Sequence, residues 1–418
     1  MPDPQPEQST PVSPPRPAVG RFCRPAGAAL VTAVVVAVTC AGCTSSAPGQ
    51  AGPASTNPYG LPQTTVTVSE DDCGHGWSHP SPGAQVIQLR NGGSVVTDAY
   101  LVNPETGAVY EEAEGIGVGA TQSMQVTLGG GSYAIECLPE DLDVVKGPTV
   151  RVPGGAVKGS TPAIMPADVH QLIPPTLAYQ KWVQGRLDQL VAGTEALSAA
   201  IDRGDLDGAR AAWLPAHMGY EELSGAKLTF GDADSAVNGT TAGLPGGPHN
   251  PHFTGFHRIE YGLWHGESAR ALRPLADRLA ADVSTLRKNW PQQEMDPLYL
   301  SQRGHEIMEN ALQFELTGRT DYGSGTNLAS VRANLTGTKE MLDCMRPLLN
   351  SRAPGLMTKI DTGMQRTERD VDGFEHHGHW TPVSRLGRAQ RETLNADVGN
   401  LTEQLAPIAA ILDVRRTQ

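Results

Sequence analysis

The sequence predicts a two-part protein, a small all-β sandwich followed by an all-α helical bundle, and three observations carry that prediction. From Thr64 to Val152 the apolar residues recur at every second position in short runs, and beyond Ala167 they recur at every third or fourth. A Gly- and Pro-rich stretch, PGGAVKGSTPAIMP, separates the two regimes. Side chains alternate across a strand but return to one face of a helix after roughly 3.6 residues, so the change of period is a change of fold class. The expected boundaries are 63–153 for the β domain, 154–166 for the linker and 167–415 for the helical domain.

Ahead of the β region, a Pro-rich start carrying Arg16, Arg21 and Arg24 leads to an apolar run from Ala26 to Val38 and then to Cys40-Ala41-Gly42-Cys43. The run is too short for a membrane-spanning helix and fits the core of a signal peptide. Its ending resembles a bacterial lipobox, with Cys40 where that motif prefers Leu. Residues 1–42 are then a lipoprotein signal peptide, Cys43 is the lipidated first residue, and residues 43–62 are a flexible tether; ordinary secretion is the alternative. Either way the protein works outside the cytoplasm, and the lipid would anchor it to the cell membrane. With 45 acidic against 32 basic residues the net charge is −13, which excludes a nucleic-acid partner needing a basic surface.

Within the β region the runs TVTV, QVIQL, AYLV, MQVTL and YAIEC are divided by NGG, NPETG, GVG and GGG. Such runs predict an antiparallel sandwich of about seven strands. In the second region Val183, Leu187, Leu190, Leu197 and Ile201 form one helical stripe, Leu272, Leu275, Leu279, Val283, Leu286 and Trp290 a second, and Leu394, Val398, Leu401, Leu405, Ile408 and Leu412 a third. Two further helices are expected over Leu206–Leu223 and Arg303–Leu316. Cys344, in the helical pattern KEMLDCMRPLL, reads as core.

The chemistry concentrates in TGFHRIEYGLWHG, where His257 and Glu260 stand three residues apart. On a helix that spacing puts both on one face, able to converge on one ion or one proton. Alone, H-x-x-E is common and a histidine on an apolar face is usually structural, but a bundle lets facing helices bring further carboxylates to the same point. Each helical residue advances about 100°, which sorts those carboxylates. Asp277 projects opposite the second stripe while Asp282 sits at its edge. In HEIMENALQFEL, Glu306 and Glu309 point away from the face of Ile307, Ala311 and Phe314, whereas Glu315 falls within it. A charge buried there needs a cationic partner, either Arg258 or a metal. HEIME resembles the zinc-protease signature H-E-x-x-H only superficially, since Glu309 replaces the second histidine. There is no phosphate loop, no G-x-S-x-G elbow and no Cys/His nucleophile pair. The EHHGHW stretch reads as a solvated loop.

Taken in order, ARAAWLPAHMGYEEL, NPHFTGFHRIEYGLWHG, LADRLAADV, ENALQFELTG and VRANLTG resemble the imelysin-like domain, whose mark is G-x-H-x-x-E. A β domain followed by such helices is similar to the EfeO-type iron uptake lipoproteins of EfeUOB systems. That resemblance implies a cupredoxin-like N-terminal domain and a helical domain that binds ferrous or ferric iron through the H-x-x-E pair with acidic residues of other helices. It also implies an iron permease and a haem peroxidase as partners. The motif designates His257 and Glu260 as ligands; the helical angles add Glu315 and Asp282, and Glu221 in HMGYEEL is a further candidate. Asn327 stands where an acidic residue is expected before ANLTG, and the EHHGHW region replaces tyrosine motifs near the C-terminus. In the β domain, Cys73 and Cys137 with Glu111 and Glu112 are similar to a second metal site, for iron or copper, with a disulfide between the two cysteines as the alternative. An ordered His, Cys, His, Met set of blue copper is missing. The implied role is non-enzymatic delivery of iron, with an imelysin-class metallopeptidase and a metal-dependent binder of acidic polysaccharide as rivals.

Overall fold

A computed structural model describes residues 55–56 and 60–416. The predicted signal peptide, Cys43 and most of the tether lie outside the described residues. Among the described residues, no helix is long and apolar enough to cross a membrane.

The β region contains β1 (Ser55–Thr56), β2 (Pro62–Val68), β3 (Gly83–Asn91), β4 (Thr97–Val102), β5 (Val109–Ile116), β6 (Thr121–Leu128), β7 (Gly131–Pro139), β8 (Val145–Lys146) and β9 (Val150–Val152). One sheet runs β1-β2-β3-β6 and the other β5-β4-β7-β8, with β9 also on β7. Val66, Val68, Ile87, Leu89, Met124 and Ile135 share one core, as period-two burial requires. The expected all-antiparallel pairing holds except between β2 and β3, which run parallel from Gln63↔Val86 to Val68↔Asn91. The long connection over 69–82 makes this accessible, because parallel neighbours need a crossover rather than a tight turn.

That connection is pinned by a disulfide between Cys73 and Cys137, whose Cα atoms are 5.9 Å apart. Trp77 packs edge-on against Tyr133 beside it. The pairing settles the alternatives left open for these cysteines and corrects the metal-site reading: thiolates spent in a disulfide bind no ion. Glu112 does not join them either. Cys137 lies opposite Ala99, and Ala99 opposite Ala113, whereas Glu112 is aligned with Tyr100 and Glu136. Strand alternation therefore turns Glu112 to the other face, where it pairs with Arg415. Glu111 is half-buried, its carboxyl pushed up by burial and then by the charge of Glu112.

The tether, expected to be flexible, and the linker are both partly built into the sandwich. Ser55 and Thr56 pair back onto Gln63 and Pro62, so the end of the tether joins a sheet. In the linker, Ile164 exchanges two hydrogen bonds with Val109, and Thr161 N–H donates to Thr127 C=O.

The helical region contains α1 (Val169–Asp202), α2 (Leu206–Glu221), α3 (Lys227–Phe230), α4 (Asp232–Asn238), α5 (Gly255–Trp264), α6 (Ala269–Asn289), α7 (Pro297–Asn310), α8 (Asn327–Arg352), α9 (Leu356–Asp372), α10 (Arg388–Leu405) and α11 (Pro407–Ile411). α1 starts at Asp168, whose side chain accepts from His170 N–H while Gln171 reaches back, a reciprocal cap. The three expected stripes are buried together, with Leu275 at the edge. α9 adds a helix that period had not marked out, and α8 extends the helical pattern read around Cys344 back to Asn327. EHHGHW forms a short hairpin of β10 (Glu375–His376) and β11 (His379–Trp380) with its histidines exposed, in keeping with a solvated segment. Cys344 is only partly buried, and burial pushes its thiol up to about 11.

Candidate metal centre

α5 begins at Gly255 with φ +80°, a left-handed conformation that favours glycine. A Cβ there would meet Val237 C=O at 2.2 Å, so the end of α4 packs directly on this backbone. The glycine of G-x-H-x-x-E is thus required by a close approach. From this start Phe256, Ile259 and Leu263 enter the core, and Trp213 donates its indole N–H to Phe256 C=O. His257 and Glu260 are also buried.

Glu260 is held by the loop before α8. Its Oε1 accepts from Tyr322 N–H at 3.0 Å, Ser324 N–H at 3.1 Å and Ser324 O–H at 2.6 Å, and its Oε2 lies 3.2 Å from His257 Nδ1. A carboxylate only accepts, so Nδ1 carries the ring proton and the lone pair of His257 resides on Nε2. His257 lines a cavity of about 340 Å³ together with Glu221, Glu315, Lys227, Arg303 and Asn334. Glu260 is not on that wall; it stands behind the imidazole.

Glu315 reaches the cavity through a π-helical turn, Ala311–Glu315, that continues α7. Phe314, predicted on the inner face, lines this cavity although it is 40% exposed, and the Glu315 carboxyl turns inside. There it accepts from Thr320 O–H at 2.8 Å and from the Asn327 amide at 2.9 Å. Burial, and then the charge of Glu221, push it up to about 7. Asn327, at the position where an acid was expected, is therefore a donor to a neighbouring acid.

Glu221, at the end of α2, accepts from Asn238 at 2.7 Å, Asn334 at 3.1 Å and Lys227 Nζ at 3.1 and 3.3 Å. Burial raises its pKa, but Lys227 and then His217 outweigh that and hold it down at about 2. His217, one turn earlier, has its Nε2 3.6 Å from Glu221 and its ring edge-on to that of His257. Burial, then His257, depress it to about 3, so it is neutral.

Of the predicted residues, His257, Glu221 and Glu315 thus share one cavity with Glu260 directly behind. Asp282 does not join them, which corrects the reading from its helical angle. It faces α4, pairs with Arg278 at 3.5 Å and lines a separate cavity with Phe230 and Asn289. Arg258 is no counter-ion here, since it pairs with Glu267 at 3.0 Å. Sequence reasoning missed His217, Lys227, Asn238 and Asn334. His217 and Glu221 had a usable signal in their spacing of four; Lys227 sits in a short turn and had none.

At the junction of the two regions, carboxylate oxygens of Glu112, Glu114 and Asp413 lie within 4.8 Å of one another. Arg415 already binds Glu112 there, and Arg416 donates to the carbonyls of Pro139 and Leu142.

The imelysin family model (Peptidase_M75) matches residues 176–408, from within α1 to α11. The chain belongs to the imelysin family. Every cavity residue named above lies inside the imelysin match. Relatives named iron uptake system component EfeO, from Escherichia coli K12, Escherichia coli O157:H7 and Shigella flexneri, are each 26% identical over 366 residues, covering 85% of this chain and 93% of theirs. This similarity extends past the imelysin segment. A solved structure from Parabacteroides distasonis, described as that of an iron-regulated protein A precursor, covers 60% of this chain and 98% of its own at 12% identity and a TM-score of 0.48.

Proposed function

We propose that this protein captures iron outside the cytoplasm and delivers it to a membrane permease, as one component of an EfeUOB-type uptake system that also includes a haem peroxidase. The observation that carries the reading is the convergence of His257, Glu221 and Glu315, from three separate stretches of chain, on one cavity of the imelysin domain. Carboxylate oxygens with an imidazole nitrogen suit ferrous or ferric iron better than Cu(I), which wants thiolate or thioether. Glu260 acts one step removed. By holding Nδ1 it fixes the tautomer and orientation of His257 and raises the basicity of Nε2.

The β domain is cupredoxin-like on this reading, with its two cysteines structural. A lipid on Cys43 keeps the protein at the membrane that holds the permease, and replacing Cys43 by Ala would release it to the soluble fraction. The reading is one of binding and transfer rather than peptide hydrolysis.

The test is anaerobic titration with Fe²⁺, followed by calorimetry, of the wild type, His257→Ala and Glu221→Gln. Each substitution is expected to weaken binding by about tenfold or more, the loss usual for one ligand or its partner, while the far-ultraviolet circular dichroism is unchanged. Wild-type affinity in both variants would refute the site.

A further inference from the structure

We infer that Lys227 is the built-in counter-cation of this cavity, and that an incoming metal ion binds Glu221 by displacing the Lys227 ammonium. The inference rests on the metal-binding reading above and adds the residue that sets how tightly the ion is held.

Glu221 is only 5% exposed, and a positive partner offsets the cost of enclosing its charge. Lys227 Nζ straddles both of its oxygens, at 3.1 and 3.3 Å, which is where a cation shared by a carboxylate would sit. The other groups around those oxygens are the neutral amides of Asn238 and Asn334, the Ser224 hydroxyl at 3.5 Å and the neutral ring of His217. An ion approaching His257 and Glu315 therefore meets a Glu221 already engaged by an ammonium.

Lys227 is also placed to leave. It opens α3, a single four-residue turn, and its side chain remains 22% exposed, so solvent is within reach. The ring of Tyr220 lies 5.4 Å from Nζ and gives the ammonium a cation–π contact independent of Glu221. Arg303, the other cation on the wall, is fixed by contrast: it donates to Glu306 and to Ser224 C=O. Exchange of one cation for another leaves Glu221 paired throughout. An ion of higher charge that also gains His257 and Glu315 wins over the ammonium, whereas a monovalent ion gains little. The competition lowers net affinity and so eases release of the cargo.

Replacing Lys227 by Met keeps the stem and removes the charge. Fe²⁺ titration of the full chain should then show affinity about tenfold tighter than wild type, and this gain should fall below about threefold when Glu221 is already Gln, because coupled neighbours are non-additive. A second readout uses the wild type alone: on adding Fe²⁺, acetylation of Lys227 by a soluble acylating reagent, followed by mass spectrometry, should speed up several-fold as the amine is freed. Unchanged or weaker binding in Lys227→Met, or acetylation of Lys227 unaffected by bound Fe²⁺, overturns the role of Lys227 while wild-type binding preserves the metal reading. Failure of the wild type to bind Fe²⁺ overturns both.

Discussion

Glu315 supports a quantitative prediction. Its carboxyl is raised from 4.5 to about 7, by burial and then by the negative charge of Glu221, against the opposing hydrogen bonds from Asn327 and Thr320. A group whose folded value lies above its unfolded value favours folding at low pH, and that contribution is lost as pH rises through the folded value. The window here runs from 4.5 to about 7. The displacement corresponds to at most ~3 kcal/mol, and the side chain borders a cavity, so ~1–3 kcal/mol is the expected loss between pH 5 and pH 8. Replacing Glu315 by Gln removes the titration while keeping the shape. In urea unfolding with chelator present, the wild type should lose that much stability over the interval relative to Glu315→Gln. Fe²⁺ favours the ionised carboxylate, so wild-type affinity should rise with pH up to about 7, with a shallower rise in the variant. Identical pH slopes for the two proteins, in stability and in binding, would refute the argument that Glu315 is an enclosed, titrating wall of the metal cavity.

Glu260→Ala should weaken Fe²⁺ binding by about 10–100-fold by releasing the His257 ring, and should speed amide exchange at Tyr322 and Ser324, which now donate to Glu260. Replacing Cys73 and Cys137 together by Ser should cost ~3–4 kcal/mol, as expected for a loop closed over a sequence separation of 64, and leave the Fe²⁺ stoichiometry unchanged; altered stoichiometry would reinstate a thiolate site. Gly255→Ala should destabilise the fold by ~2 kcal/mol or more in thermal unfolding, since it combines a positive φ with a Cβ driven against Val237 C=O, and should weaken Fe²⁺ binding through the displaced His257.

The change of period at the linker was legible because strand and helix differ in how often they return to a buried face, and every residue of the first and third stripes is in the core. The parallel β2–β3 pair was not, because alternation reports burial and not strand direction. The first half of α8 escaped for a related reason: it buries Asn327, Asn334 and Thr338 along with its apolar residues, which blurs the stripe. The candidate site divides along the same line. Helical angle identified Glu315 as inward-facing, and the π-turn that carries it also leaves Phe314, used to define that face, on the cavity but 40% exposed. For Asp282 the angle correctly marked the edge of a buried stripe, yet that edge meets α4 and not the imidazole. An angle about one axis states whether a side chain turns inward, and only the packing of separate helices states what it meets there. Lys227 is the limiting case, since it lies in a short turn with no period to read, and yet it pairs with Glu221 on the cavity wall. Its place agrees with electrostatics, since an ammonium against Glu221 offsets the cost of enclosing that carboxylate.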